Sequence, residues 1–182
     1  SVQGLLRMLD LPFVGPDLLG SAVGMDKDVA KRLLRDAGIP VADFLTLRRG
    51  ETCKPSIVWK KLGRPVFVKP ANQGSSVGVS KARTDTELRS AVKDAFRFDD
   101  KILIEEAVPG REIEISVLGN EKPVASIPGE VIPRHEFYSY EAKYLDEHGA
   151  GLEIPAKLSK TLVRKAQQLA LQTFKTLGLE GM

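Results

Sequence analysis

The sequence predicts an α+β fold, with a small helical lobe up to about residue 47 followed by an antiparallel sheet that carries helices on one face. Three observations point there. Apolar residues near the start recur at helical spacing. From Pro65 onward, short apolar runs bounded by proline and glycine take over, as in strands joined by turns. A long amphipathic pattern then opens at Ser159 and closes at Gly178.

Val2, Leu5, Leu6 and Leu9 predict the first helix, and Gly15-Pro16 a turn before a short helical piece carrying Leu18, Leu19 and Ala22. Asp26 is placed to cap a helix over Val29, Ala30, Leu33 and Leu34, which Gly38 and Pro40 terminate. Phe44 to Leu47 reads as a strand, and a helix is expected around Trp59 and Leu62. Val66-Phe67-Val68-Lys69-Pro70 is a strand ended by proline, with a polar turn over 72–78 and a return strand from Val79. Residues 84–96 form a helix capped by Thr84 or Asp85, with Leu88, Ala91, Val92 and Ala95 as its stripe. Strands follow at 101–106, at 112–118 (where Ile113, Ile115 and Val117 alternate) and at 123–127. The last helix carries Leu162, Ala166, Leu169, Ala170, Phe174 and Leu177 on one face.

Composition narrows the function classes. The 182 residues are 42% apolar and 28% charged, which predicts a packed core and excludes global disorder. Lys plus Arg number 27 against 24 Asp plus Glu, and the resulting net charge of +3 is too small to suggest a nucleic-acid partner. Cys53 is the single cysteine, so no internal disulfide can form. No apolar run reaches the roughly 20 residues of a membrane span and no signal pattern is recognisable, so neither a membrane nor a secretory role is expected. The sequence opens at Ser1 without an initiator Met and stops at Met182 just past a helix and its turn, which gives the expectation of a central slice of something longer.

Four places could carry chemistry. Lys69 stands at a strand end before Asn72-Gln73-Gly74-Ser75-Ser76-Val77-Gly78, where backbone amides and hydroxyls could cradle an anion and the lysine could reach phosphate oxygens. An ordinary polar hairpin would look the same. The strand end around Glu105, Glu106 and Val108, with Glu112 beyond it, could read a nucleobase edge and a ribose, or be merely solvated. The segment Phe137 to Tyr144 holds all three tyrosines and Lys143, and could be a set of surface anchors or donors to a substrate. Lys27 sits in the first turn of a helix, where a cation is mildly unfavourable and a bound anion would explain it, although an exposed lysine needs no role. His135 and His148 are far apart in sequence and no cluster has metal spacing, so no metal ligands are assigned.

Taken together these signals resemble the D-alanine–D-alanine ligases of the ATP-grasp superfamily, most of all the A-type bacterial enzymes, over essentially the whole chain. The landmarks are Gln3-Gly4, Pro12-Phe13-Val14-Gly15, Met25-Asp26-Lys27, Val68-Lys69-Pro70, Gly74-Ser75-Ser76-Val77-Gly78-Val79, Ile104-Glu105-Glu106, Gly129-Glu130 and Tyr140-Glu141-Ala142-Lys143-Tyr144. The resemblance implies an ATP-grasp fold, incomplete at both ends. It divides the chain into a helical linker lobe (1–47), a central ATP-binding subdomain (48–130), and a lid segment with the start of a further subdomain (131–182). It implies that Lys27 and Lys69 contact ATP phosphates and that the loop through Val77 covers them. Ser75 would position the first D-alanine, and Ser76 would meet phosphate through its backbone. Glu105, Glu106 and Val108 would read adenine, and Glu112 would hold the ribose. Lys143 would lie near the transferred phosphate, and Tyr144 would bond Ser75 and close the lid.

The implied reaction activates one D-alanine as an acyl phosphate at the expense of ATP and joins it to a second D-alanine for peptidoglycan synthesis. The family's magnesium ligands, in Arg-x-Asp and Glu-x-Asn elements, are expected beyond Met182. This chain by itself is therefore expected to lack ligase activity. A cytoplasmic location and a homodimeric parent enzyme, with D-alanine and ATP as its small-molecule partners, are also implied. The alternatives are a D-alanine–D-lactate ligase and a non-catalytic nucleotide-binding module.

Overall fold

The computed structural model describes residues 2–133 and 150–181. In chain order it contains α1 (Val2–Met8), α2 (Leu18–Met25), α3 (Lys27–Asp36), β1 (Phe44–Arg48), α4 (Pro55–Leu62), β2 (Val66–Pro70), β3 (Ser80–Ala82) and α5 (Asp85–Ala95). It continues with β4 (Lys101–Glu106), β5 (Glu112–Glu114), β6 (Val117–Leu118), β7 (Val124–Ala125), β8 (Gly129–Pro133), β9 (Ala150–Glu153) and α6 (Lys160–Thr176). The α+β class expected from the sequence is the one observed. Two compact units divide the chain: residues 41–110 form the core of one, and residues 2–40, 111–132 and 150–181 make up the other.

In the 41–110 unit, four antiparallel strands lie in the order β1-β4-β2-β3. The pleat sends successive side chains to opposite faces. Val66 and Val68 of β2, Ala82 of β3, and Ile102 and Ile104 of β4 form a continuous apolar layer. Against it pack Val58 and Leu62 of α4 and Leu88, Ala91, Val92 and Ala95 of α5, the stripe that the sequence spacing predicts. Helix α5 begins where Thr84 accepts from the Glu87 N–H at 3.2 Å, while the Glu87 carboxylate reaches back to the Arg83 N–H at 2.6 Å. The reciprocal pair satisfies donors that the helix start would leave open. Trp59 of α4 donates its indole N–H to Asp85 at 2.7 Å, and the Arg64 guanidinium lies 4.3 Å from the Trp59 ring centre. These contacts tie α4 to the start of α5 at the margin of the layer.

In the other unit, Asp17 caps α2 and the Asp26 carboxylate caps α3 by accepting from the Asp28 and Val29 N–H groups, as its position predicts. Ser159 does the same for α6, accepting from the Leu162 N–H at 3.3 Å. Gly20 of α2 faces the Gly178 carbonyl so closely that a Cβ there would collide with it, which requires a glycine. Gln172 of α6 donates to the Ala37 carbonyl at the end of α3, at 3.2 Å. Strands β5, β8 and β9 form one sheet, and β6 and β7 a second, smaller one.

The single strand expected over 112–118 is in fact two. Glu114 pairs with Gly129, but Val117 pairs with Ala125, so residues 115–116 face the three residues 126–128. The partner chain is one residue longer across this gap and includes Pro128, which has no N–H to give to a ladder. The Ser126 hydroxyl takes the Ser116 N–H at 3.1 Å, and the Ser126 N–H donates to the Ser116 carbonyl at 2.8 Å. Strands β8 and β9 were not expected from the sequence. Among the described residues no helix is long and apolar enough to cross a membrane.

The two-sided burial of β4 predicts where stability resides. Ile104→Ala should cost about 2–5 kcal/mol, from lost transfer energy plus a cavity in the α4–α5 layer. Leu118→Ala, at an exposed position, should stay within roughly 0.5 kcal/mol of wild type. Urea unfolding of the two variants checks this, and equal losses would contradict it.

Candidate functional site

The sheet face opposite α4 and α5 has a different character. Alternation along β2 puts Phe67 and Lys69 there, and alternation along β4 adds Lys101, Leu103 and Glu105. Phe67 pairs across strands with Glu105 on one side and Lys81 on the other, and Phe44 pairs with Glu105 from β1. Phe44, Ala71 and Leu103 form a second, small apolar cluster on this face. Charged groups stand around it. Lys69 Nζ donates to Glu105, whose residue is only 7% exposed, and the Lys81 ammonium lies 5.6 Å from the Phe67 ring centre. Lys101 is buried to nearly the same degree as Glu105. Phe44, Ala71 and Leu103 are themselves buried, and the half-buried Phe67, standing between the charged groups, is the apolar side chain on this face that a flat heteroaromatic ring could meet.

Lys69 leads through Pro70 into the glycine-serine loop. Ser75 and Ser76 both adopt left-handed backbone angles, φ 50° and 60°, which are uncommon for residues with a Cβ. Strain of this kind costs about 1–3 kcal/mol per residue and persists only when the surroundings impose it. Two turns are closed inside the loop, by Val77 N–H to the Gly74 carbonyl at 3.0 Å and Val79 N–H to the Ser76 carbonyl at 3.1 Å. The Val77 amide would therefore have to release Gly74 before it could serve an anion. Gly78, at φ 69°, packs so tightly that a Cβ would come within 2.6 Å of the Phe98 ring and 2.9 Å of Pro70.

Asp99 was not singled out from the sequence, yet it anchors the entry to this loop. Its carboxylate accepts from the Asn72 N–H at 2.7 Å, from the Asn72 side-chain amide at 3.0 Å and from the Lys101 N–H at 3.1 Å. Burial works against its charge, but the hydrogen bonds donated by Asn72, Lys101 and Asp100 outweigh it and hold the carboxyl below the ordinary aspartate range. No local pattern announces this role, because the partners lie 27 residues apart in the chain.

At the far end of β4 the Glu106 N–H donates to the Asp43 carbonyl at 3.0 Å, and the Glu106 carboxylate accepts from the Asp43 N–H at 2.8 Å. Val108, two residues on, is 67% exposed. Lys69, Ser75, Ser76, Val77, Glu105, Glu106 and Val108 all belong to one unit. Lys27, the first residue of α3, and Glu112, an exposed residue at the start of β5, belong to the other. Lys143 and Tyr144 lie outside the described residues.

Elsewhere, the Arg111 guanidinium grips the buried Glu130 carboxylate through Nε and Nη2 and donates from Nη1 to the Lys157 carbonyl at 3.0 Å. Those hydrogen bonds hold the Glu130 carboxyl below its usual range. A cavity of about 260 Å³ opens between β1 and α4, on the helical side of the sheet, lined in part by Leu45, Leu47 and Cys53. Burial pushes the Cys53 thiol up despite Arg89, which leaves it a poor nucleophile. Among the described residues no group of three or more His, Cys, Asp or Glu comes together to hold a metal.

Residues 33–182, most of the chain, match the family described as D-ala D-ala ligase C-terminus. The chain belongs to this family. Among relatives of the D-ala D-ala ligase C-terminus family, the D-alanine–D-alanine ligase of Oceanobacillus iheyensis is 58% identical over 186 residues, covering all of this chain and 50% of the relative. D-alanine–D-alanine ligase A of Chromobacterium violaceum is 53% identical over 184 residues, again covering all of this chain and 50% of the relative. The chain thus spans about half the length of the curated relatives it matches. The structure of the D-alanine-D-alanine ligase from Coxiella burnetii superimposes with a TM-score of 0.85 at 38% identity, over 100% of this chain and 48% of that one. The VanG D-Ala:D-Ser ligase from Enterococcus faecalis gives a TM-score of 0.89 at 31% identity, over 99% of this chain and 52% of that one. The ATP-grasp-like fold implied by the sequence resemblance is the fold these family structures share with the chain.

Two outcomes are expected at the loop. Gly78→Ala forces a Cβ into Phe98 and Pro70 at a positive φ, and should destabilise the chain by about 1–3 kcal/mol in urea unfolding. A neutral Gly78→Ala would show that the loop does not need this packing. Asp99→Asn tests the charge. A depressed folded-state pKa contributes stability above the unfolded value of about 3.9 and loses it as pH falls through the folded value. The wild-type advantage over Asp99→Asn should therefore be present at neutral pH and shrink below about pH 4 in unfolding curves, and a pH-independent difference would refute it.

Proposed function

We propose that this chain is the nucleotide-gripping portion of an ATP-dependent D-alanine–D-alanine ligase, and that its substrate-facing surface is the Lys69–Glu105 sheet face with the Ser75-Ser76 loop beside it. The observation that carries this reading is the placement of Lys69. It is paired with a buried carboxylate, and its strand leads through Pro70 into the glycine-serine loop in which Ser75 and Ser76 are strained. High identity to enzymes named D-alanine–D-alanine ligase supports D-alanine as both substrates, where a hydroxy acid or D-serine would be the variants.

In this reading the adenine lies against the half-buried Phe67 and is read by the Glu106 carbonyl and the Val108 backbone. Glu112 takes the ribose hydroxyls. The Glu105 carboxylate holds the Lys69 ammonium so that it meets the phosphates as a fixed charge and needs little reorganisation when a nucleotide arrives. Lys27 adds a second cation to the phosphates. The Ser76 amide, with Val77 once released from Gly74, covers them, while the Ser75 hydroxyl orients the first D-alanine. The D-alanine carboxylate oxygen attacks the γ-phosphorus, the bond to the bridging oxygen breaks, and ADP leaves an acyl phosphate. The amine of the second D-alanine then attacks the acyl carbon and inorganic phosphate departs. Lys143 neutralises charge on the transferred phosphoryl group, and Tyr144 closes over Ser75 and keeps water from the acyl phosphate.

Magnesium would supply charge neutralisation at the phosphates. None of the described residues of this chain is assigned as its ligand. The division into linker lobe (1–47), central ATP-binding part (48–130) and lid with following subdomain (131–182) describes how the work is shared. A cytoplasmic homodimer is the assembly that fits this reading.

Calorimetric titration of the chain with ATP tests the reading. Lys69→Met keeps the aliphatic stem and removes the charge, and should weaken ATP binding about tenfold or more. A Lys69→Met chain that binds ATP as wild type does would contradict the assignment.

A further inference from the structure

The Phe98–Lys101 turn touches the glycine-serine loop at three points. At its entry, the Asp99 carboxylate takes both the backbone and the side-chain N–H of Asn72. One residue on, the Gln73 side-chain amide donates to the Phe98 carbonyl at 3.2 Å. At its exit, Gly78 lies under the Phe98 ring, with no room for a Cβ. The same carboxylate holds the Lys101 N–H, and the Ala71 N–H donates to the Lys101 carbonyl at 2.9 Å. Both ends of the loop are thus referred to one short turn at the start of β4.

This arrangement accounts for an otherwise unfavourable feature. Two consecutive serines in the left-handed region need surroundings that impose the conformation. Their own turns, Val77 to Gly74 and Val79 to Ser76, close within the loop and do not fix it to the sheet. The attachments just described tie its ends there, beside the further interactions that Ser75 and Ser76 themselves make. A charged acceptor is suited to this task, because a carboxylate takes several N–H donors at once and each such bond is stronger than a neutral one. Asp100 beside it is exposed and pairs with Arg49, so the two adjacent aspartates are not interchangeable.

We infer that Asp99 is a positioning residue, which with Phe98 holds the entry and exit of the Gly74–Gly78 loop so that Ser75 and Ser76 face the phosphate end of a nucleotide. It touches no substrate and acts through Asn72 and the loop backbone. The inference rests on the nucleotide-binding reading above and adds to it a residue and a division of labour. Asp99 governs the phosphate end of the site and leaves the adenine end on β4 unaffected.

The experiment compares ATP with adenosine, which lacks the phosphates, as ligands of the full 182-residue chain in wild-type, Asp99→Ala and Asp99→Asn forms. Amide hydrogen exchange of the ligand-free chains is measured alongside. For Asp99→Ala, ATP affinity should fall about tenfold or more while adenosine affinity stays within about twofold. Exchange over residues 72–78 should rise while α5 and β4 keep their protection. Asp99→Asn, which retains one acceptor oxygen, should fall between the two. An Asp99→Ala chain that keeps the wild-type ratio of ATP to adenosine affinity overturns the inference, as does unchanged exchange over 72–78. A loss of protection throughout α5 and β4 would make Asp99 merely structural and also overturns it. A wild-type chain that binds ATP no better than adenosine overturns the nucleotide reading itself, and the role of Asp99 within it falls too.

Discussion

Strand β4 is hydrogen-bonded on both edges, to β1 and to β2, and its two faces must satisfy opposite demands. Ile102 and Ile104 fill the layer under α4 and α5. Lys101, Leu103 and Glu105 project the other way. A strand has no freedom to adjust this division, because a slip of one residue would turn Lys101 and Glu105 into the core and expose the isoleucines. The register is therefore strongly determined, and it fixes where the Glu105 carboxylate meets Lys69 and where the turn at Phe98–Lys101 begins. The apolar side holds the fold in place, and the charged side inherits its geometry.

Charged groups this far from water are costly unless paired. Glu105 and Lys69 meet that cost by pairing with each other, and Glu130 and Arg111 do the same in the other unit. The pairings differ in what they leave available. Arg111 spends its nitrogens on Glu130 and the Lys157 carbonyl, a closed structural knot. Lys69 has three donor hydrogens and uses one on Glu105, so the same ammonium can still meet an anion. Next to it the loop combines strain at Ser75 and Ser76 with anchored ends. Such a segment can change its central amides without losing its attachment to the sheet.

Much of the scaffold is legible in the sequence because it depends on local chemistry. Asp26, Thr84 and Ser159 stand where a helix start needs an oxygen acceptor, and each is observed to cap. The strand read over Val66 to Pro70 and the stripe of α5 supply the two sides of the main apolar layer. Legibility ends where pairing is long-range. The alternation at 112–118 is real, but whether it makes one strand or two depends on Pro128 and the extra residue across the sheet. Strands β8 and β9 are short, and β8 is bounded by Gly129 and Pro133, so neither has a pattern strong enough to stand out. The Lys69 and Glu105 candidates were visible as residue types at strand ends, but their contact follows only from the antiparallel register. Asp99 left no local trace at all.

In the proposed reading the charged face of the sheet and the anchored loop receive the nucleotide, and the helical face and its cavity beside Cys53 do not. Backbone amide chemical shifts of the isotopically labelled chain, followed by NMR during titration with ATP, test it most directly. Shifts are expected to concentrate at Lys69, at Ser75 to Gly78 and at Glu105 to Val108, with α4 and α5 unmoved. Shifts confined to α4, Cys53 and Leu45, or the absence of any shift at the loop and the end of β4 as ATP saturates, would contradict it.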